Sequence, residues 1–144
     1  MRAEVEDLLR RVSADWVDDP GSDVVWAGAH EGRWGVRMAQ RTRDFTTVWF
    51  DVGDRTLGVE AYVLPSPPHG REDVYRHCLV RNRSAWRVHF AVDPEGEIVL
   101  RGRLPLGTVT VASLDETLGA VYEMVELSFR PLLRLGFGSR EKSR

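Results

Sequence analysis

Hydrophobic and polar positions follow two different periods along this chain, and the switches between them divide it into elements. Val5, Leu8, Leu9, Val12 and Trp16 recur at helical spacing, with Glu6, Arg10, Arg11 and Asp15 between them. That spacing predicts an amphipathic helix, which Asp18-Asp19-Pro20-Gly21 ends. Short runs rich in valine, tryptophan, phenylalanine and threonine follow at Val24 to Ala29, Trp34 to Ala39, Phe45 to Val52 and Thr56 to Leu64. Their separators are His30-Glu31-Gly32, Gln40 to Arg43 and Gly53-Asp54, and the first and last carry the glycine and aspartate that tight reversals need. These runs read as an antiparallel meander.

Pro65, Pro67 and Pro68 then close the fourth strand, because proline lacks an amide donor and fixes φ. Glu72 and Asp73 favour the first turn of a second helix whose apolar side holds Val74, Tyr75, Cys78 and Leu79 and which ends around Asn82 to Ala85. Two more strands are expected, Trp86 to Val92 and Glu97 to Leu104, joined by the turn Asp93-Pro94-Glu95-Gly96. Val88, Phe90 and Val92 alternate onto one face with Ile98, Leu100 and Leu104, leaving His89, Arg101 and Arg103 on the other. Ser113-Leu114-Asp115-Glu116 has the form of a capping box opening a third helix, with a stripe of Leu118, Val121, Val125, Phe129 and Leu132. Pro131 is expected to bend or end that helix. The predicted order is α-β-β-β-β-α-β-β-α: an α+β domain over residues 1–138 with a flexible C-terminal tail at 139–144.

Composition adds little to this picture and removes several function classes. At 144 residues the chain has the size of one domain, and 42% hydrophobic with 29% charged residues is ordinary globular usage. A net charge of -2 lacks the basic footprint expected for nucleic acid. Lys142 is the only lysine, so nearly all positive charge is guanidinium, a planar fork suited to carboxylates or phosphates, although such a bias more often reflects a GC-rich genome. Cys78 is the sole cysteine, which fits a reducing compartment. The acidic, periodic N-terminus lacks the basic start of a signal peptide, and no apolar run approaches the roughly 18 residues of a membrane span. A cytoplasmic protein with no membrane or nucleic-acid partner is the expectation.

No catalytic constellation stands out. His30, His69, His77 and His89 include no i, i+4 pair of the kind that binds zinc on a helix. Asp93 to Glu97 has acids at alternate positions, yet a calcium loop spreads its ligands over about 12 residues, and here the chain enters a strand. Cys78 lies on an apolar helix stripe, where cysteine is usually a small core residue. No cofactor is called for, and the chain reads as a non-enzyme.

Leu79 to Gly107 carries Arg81-Asn82, Phe90-Ala91-Val92-Asp93, Glu95-Gly96 and Gly102-Arg103-Leu104-Pro105-Leu106. With Thr46-Thr47-Val48-Trp49, Val59-Glu60-Ala61-Tyr62-Val63 and Phe129-Arg130-Pro131-Leu132-Leu133, this resembles the YbjN-domain family in its actinobacterial form. That family is similar in fold to type III secretion chaperones. The resemblance implies a curved antiparallel sheet with helices on one face, frequently a homodimer, no established enzymatic activity, and roles in regulation, protein stabilisation and chaperone-like behaviour.

A sheet covered on one side only cannot bury all its aromatics. Trp34, Trp49, Tyr62, Arg101 and Arg103 are therefore the expected partner-binding residues, since tryptophan and arginine dominate interface hot spots. The leading expectation is a homodimer engaging a protein client through its sheet face or edge. The alternative is a small-molecule sensor with a pocket between sheet and helices, read by Arg37, Arg101 or Arg103.

Overall fold

A computed structural model describes residues 1–138. It comprises α1 (Arg2–Asp18), β1 (Val24–His30), β2 (Arg33–Ala39), β3 (Phe45–Val52), β4 (Thr56–Leu64), α2 (Arg71–Asn82), β5 (His89–Val92), β6 (Ile98–Pro105) and α3 (Val111–Phe137), with a short 3-10 turn at Leu106–Thr108. The expected element order is the observed one. The predicted tail, 139–144, lies outside the described residues.

The six strands form one open antiparallel sheet in the order β1-β2-β3-β4-β6-β5. Consecutive strands from β1 to β4 are joined by short turns, as the glycine and aspartate separators require. At the β1–β2 turn both Glu31 (φ 51°) and Gly32 (φ 77°) are left-handed, the geometry that matches the twist of a two-residue hairpin. Gly96 (φ 83°) plays the same part between β5 and β6. There Asp93 Oδ1 accepts from the amides of Glu95 (3.0 Å) and Glu97 (2.8 Å), so the acidic alternation builds a hairpin turn.

One face of the sheet is packed. Val36 and Met38 of β2, Val48 and Phe50 of β3, Leu57, Val59 and Ala61 of β4, and Ile98, Leu100 and Leu104 of β6 share a face and are buried. Against them lie Val5 and Leu9 of α1, Val74 and Cys78 of α2, and Leu114, Leu118, Val121, Val125 and Leu132 of α3. The register brings these strand positions together, Val36 to Val48, Val48 to Ala61 and Ala61 to Leu100, so period-two alternation in sequence becomes one continuous core layer.

Three local expectations are corrected. The fifth strand starts at His89 rather than Trp86. Arg87 takes a left-handed φ of 67° and its carbonyl passes so close to Gly102 that no Cβ would fit there, so residues 86–88 cross β6 as a turn. The third helix begins earlier than Ser113: Thr110 is its N-cap. Thr110 Oγ1 accepts from the Ser113 amide (3.0 Å) and Ser113 Oγ from the Thr110 amide (2.8 Å). Glu116 instead pairs with Arg87 at 2.6 Å. Pro131 does not end α3, which continues helical to Phe137. A proline in a helix removes one amide, and tertiary packing of Leu132 and Gly136 on the core side holds the turn regardless.

Candidate functional site

The side chains of opposite parity project from the uncovered face. Cross-strand register sets Gly28, Gly35, Trp49, Glu60, Arg101 and His89 in one row across the sheet. Trp26 pairs with Arg37 on one side of that row, and His30 with Arg33 on the other. The two glycines explain the posture of the two tryptophans. A Cβ at position 35 would sit 2.7 Å from the Trp49 ring and 2.9 Å from the Trp26 ring, and one at position 28 would sit 2.9 Å from Trp26. Both indoles thus lean onto bare backbone, and glycine is required to let them approach.

Each indole carries a guanidinium. The Arg33 guanidinium carbon lies 4.9 Å from the Trp49 ring centre and that of Arg37 lies 5.2 Å from Trp26. His30 flanks Trp49 with ring centres 5.9 Å apart. Arg37 Nε also donates to Thr47 Oγ1 (3.1 Å). Glu60 is shared by two arginines, Arg33 at 3.5 Å and Arg101 at 3.4 Å. Arg103 is exposed and makes no ion pair among the described residues. Arg33, Glu60, Arg101 and Arg103 line a groove of about 310 Å³ with Trp49 as a wall and Gly58 and Gly102 beneath.

The opposite end of the same face is acidic. Tyr62, exposed there, has its phenol pushed up by partial burial and then by Glu97. Glu97 is itself held above the usual carboxylate range, first by its hydrogen bond with Asp93 and then by burial and the charges of Asp93, Glu95 and Glu60. The open face is therefore cationic around Trp49 and anionic beyond Tyr62.

Of the expected partner-binding residues, Trp49, Tyr62, Arg101 and Arg103 share this face. Trp34 does not. It falls on the parity of Val36 and Met38, pairs with Phe50, and donates from Nε1 to the buried Ser13 Oγ of α1 at 2.9 Å. Its place is under the first helix, and the alternation Arg33, Gly35, Arg37 against Trp34, Val36, Met38 already carried that signal. Trp26 and Arg33, absent from the expected set, belong to the site. Trp26 is displaced in parity count by a register shift between Val24 and Trp26, which hid its face from simple alternation.

Strand parity removes Arg37, Arg101 and Arg103 from any pocket between sheet and helices. All three project from the face opposite the apolar core, and the cleft of about 280 Å³ between α1 and the sheet is bordered instead by Arg2, Arg10 and Arg33. Cys78 is on the covered side, where burial pushes its thiol up to about 12, whereas Glu60 and His89 stand on the open side. The sheet separates Cys78 from Glu60 and His89, which stand on either side of Arg101 in one row. The four histidines are spread over β1, the loop before α2, α2 and β5.

A second surface lies at the β5 edge. Leu79 (67% exposed), Val80 and Val92 are open to solvent beside an apolar groove of about 290 Å³ formed by Tyr75, Cys78, Leu79, Phe90, Ala91, Val92 and Ile98. No helix among the described residues is long and apolar enough to cross a membrane.

Residues 14–134 match the YbjN family, described as "Putative bacterial sensory transduction regulator". An uncharacterized protein of Mycobacterium tuberculosis is 43% identical over 88 residues, 61% of this chain and 48% of that protein. One of Mycobacterium leprae is 38% identical over 104 residues, 72% of this chain and 56% of that protein. The chain thus spans about half the length of these curated relatives. Among solved structures, a chain of the ExsC–ExsE complex aligns at TM-score 0.59 with 19% identity, covering 91% of this chain and 96% of that one. A chain of the HopA1–SchA chaperone–effector complex aligns at 0.60 with 14% identity, covering 90% and 95%. A chain of the heterodimeric ExoU–SpcU complex, from the type III secretion system of Pseudomonas aeruginosa, aligns at 0.54 with 17% identity, covering 90% and 98%. This α+β chain has the fold of type III secretion chaperones and belongs to the YbjN family.

Proposed function

We propose that this chain is a non-enzymatic, chaperone-like protein of the cytosol that holds a protein client on the open face of its sheet and works as a homodimer, in a regulatory role. The observation that carries the client reading is the pair of indoles laid over Gly28 and Gly35 with arginines stacked on them. Such rigid aromatic area with directional donors is the composition of binding hot spots, and little ordering entropy remains to be lost on binding. The fold neighbours, solved as complexes with protein partners, support the same reading by analogy of fold.

The dimer reading rests on the β5 edge. β5 is hydrogen-bonded on one side only, and beside it the protruding Leu79, Val80 and Val92 adjoin an apolar groove. Knob and hole on one patch make a self-complementary surface, which a two-fold axis satisfies by pairing β5 with its own copy. Size-exclusion chromatography with light scattering tests this. The wild-type chain is expected at twice 16.4 kDa and Leu79→Glu at 16.4 kDa. Wild type at 16.4 kDa at micromolar concentration would sink the dimer. Capture of a client that survives Trp49→Ala unchanged would sink the assignment to the open face.

A further inference from the structure

The charges on the open face also specify the chemistry of what it holds. Around Trp49 four arginines (Arg33, Arg37, Arg101, Arg103) meet two carboxylates, Asp51 and Glu60, while Asp93, Glu95 and Glu97 stand at the far end of the face beyond Tyr62. Glu60 is divided between Arg33 and Arg101, which leaves Arg37 and Arg103 without a carboxylate partner among the described residues. Arg37 is not a loose cation. Trp26 supports its guanidinium plane and Thr47 holds its Nε, so its remaining N–H groups are aimed and pre-ordered for a planar acceptor.

Resting on the client reading above, we propose that the face takes an extended acidic segment of the client protein, with one carboxylate on Arg37, another on Arg103, and an apolar side chain between them on Trp49. The spacing follows from the register. Arg37 is on β2 and Arg103 on β6, three strands away across β3 and β4. Arg37 shares a row with Thr47, and Arg103 pairs with Gly58, a row four residues along β4 from Tyr62. At about 4.8 Å per strand and about 3.3 Å per residue the diagonal is roughly 20 Å, the reach of about six residues of extended chain. Trp49, on β3 in the row between, lies near its midpoint.

Two other occupants fit less well. A second copy of this face would set arginine against arginine. A nucleic acid backbone, charged at every step, would run its phosphates over Glu60 and Asp51 and toward the acids at Asp93, Glu95 and Glu97. A client with acids only where the arginines stand avoids both.

The probe is a short fluorescein-labelled peptide with two glutamates about six positions apart and a central leucine. It is compared with its lysine-for-glutamate counterpart and with an oligouridylate, by fluorescence anisotropy on the full chain at low and physiological salt. The glutamate peptide is expected to bind at least roughly tenfold more tightly than the lysine peptide, with an affinity that falls as salt rises. Arg37→Glu and Arg103→Glu should each weaken it roughly tenfold without changing the thermal melt, and Trp86→Ala should leave it unchanged. Equal binding of the lysine peptide, tighter binding of the oligouridylate, or indifference to Arg103→Glu would overturn the acidic assignment. If the lysine peptide binds and Trp49→Ala abolishes that binding, only the charge assignment falls and the client face stands.

Discussion

Glu126 ties the helical layer to the sheet, and replacing it gives the sharpest test of how the fold is held. Its Oε2 accepts from Gln40 Nε2 (2.7 Å), the Arg41 amide (3.1 Å), the Thr42 amide (3.1 Å) and Thr42 Oγ1 (3.0 Å). Those donors belong to the β2–β3 connection, whose amides have turned away from the strand ladder. The network continues through Gln40 to the buried Thr46 and on to Arg43, which donates to the Tyr62 and Val63 carbonyls and stacks over Phe129 of α3. Glu126→Gln keeps the shape and removes the charge. Hydrogen bonds to a charged acceptor contribute about 1.5–3 kcal/mol against about 0.5–1.5 for neutral ones. Four weakened bonds at a partly solvated site, discounted for screening, amount to about 1–2 kcal/mol. In a domain of this size that lowers Tm by roughly 3–8 °C.

The same substitution has a pH signature. Partial burial raises the Glu126 pKa, but the bonds from Thr42, Arg41 and Gln40 outweigh it, so the carboxyl sits below its ordinary value of 4.5. A depressed folded pKa means the carboxylate's contribution is complete above the unfolded value and is lost as pH falls through the folded one. Thermal melts of wild type and Glu126→Gln should therefore be furthest apart near neutral pH and converge in the acid range below about pH 4. Equal Tm values at neutral pH, or a gap of constant size down to acid pH, would refute the reasoning.

Two further outcomes follow from the packed side of the sheet. Cys78, with its thiol pushed up to about 12 by burial, should react negligibly with a disulfide reagent at pH 8 in the native state and completely once guanidinium unfolds the chain; fast native labelling would place it outside the core. Trp34→Phe should cost about 1–2 kcal/mol in denaturant unfolding, because Ser13 Oγ loses its partner under α1, and should leave client capture intact; loss of capture at full stability would return Trp34 to the binding surface.

Much of the fold was legible because its signals are local. Period-two runs, the glycine and aspartate turns and the 3.6-residue stripes each name an element without reference to the rest. Errors arose where two distant pieces decide the outcome. Nothing near Trp86 announces that residues 86–88 must pass over Gly102, and Ser113 to Glu116 is a sound capping box until Thr110 competes for the same helix end. The site shows the same division. Arg101 and Arg103 were placed correctly by alternation along β6, whereas the Trp26–Gly28–Gly35–Trp49 arrangement depends on register between three strands and on a shift at Val25. Trp34 is aromatic like Trp49, but its own strand's alternation points it inward, and parity decides the face.

The central claim is that the open face, not the helical layer, is where a client sits. A photoreactive phenylalanine analogue introduced in place of Thr47, beside Arg37 on that face, and separately in place of Glu123, exposed on α3, tests it in living cells producing the full chain. The account predicts a discrete protein cross-link from position 47 that disappears with Trp49→Ala, and none from position 123. Cross-links from position 123 alone, or from position 47 to nucleic acid, would contradict it.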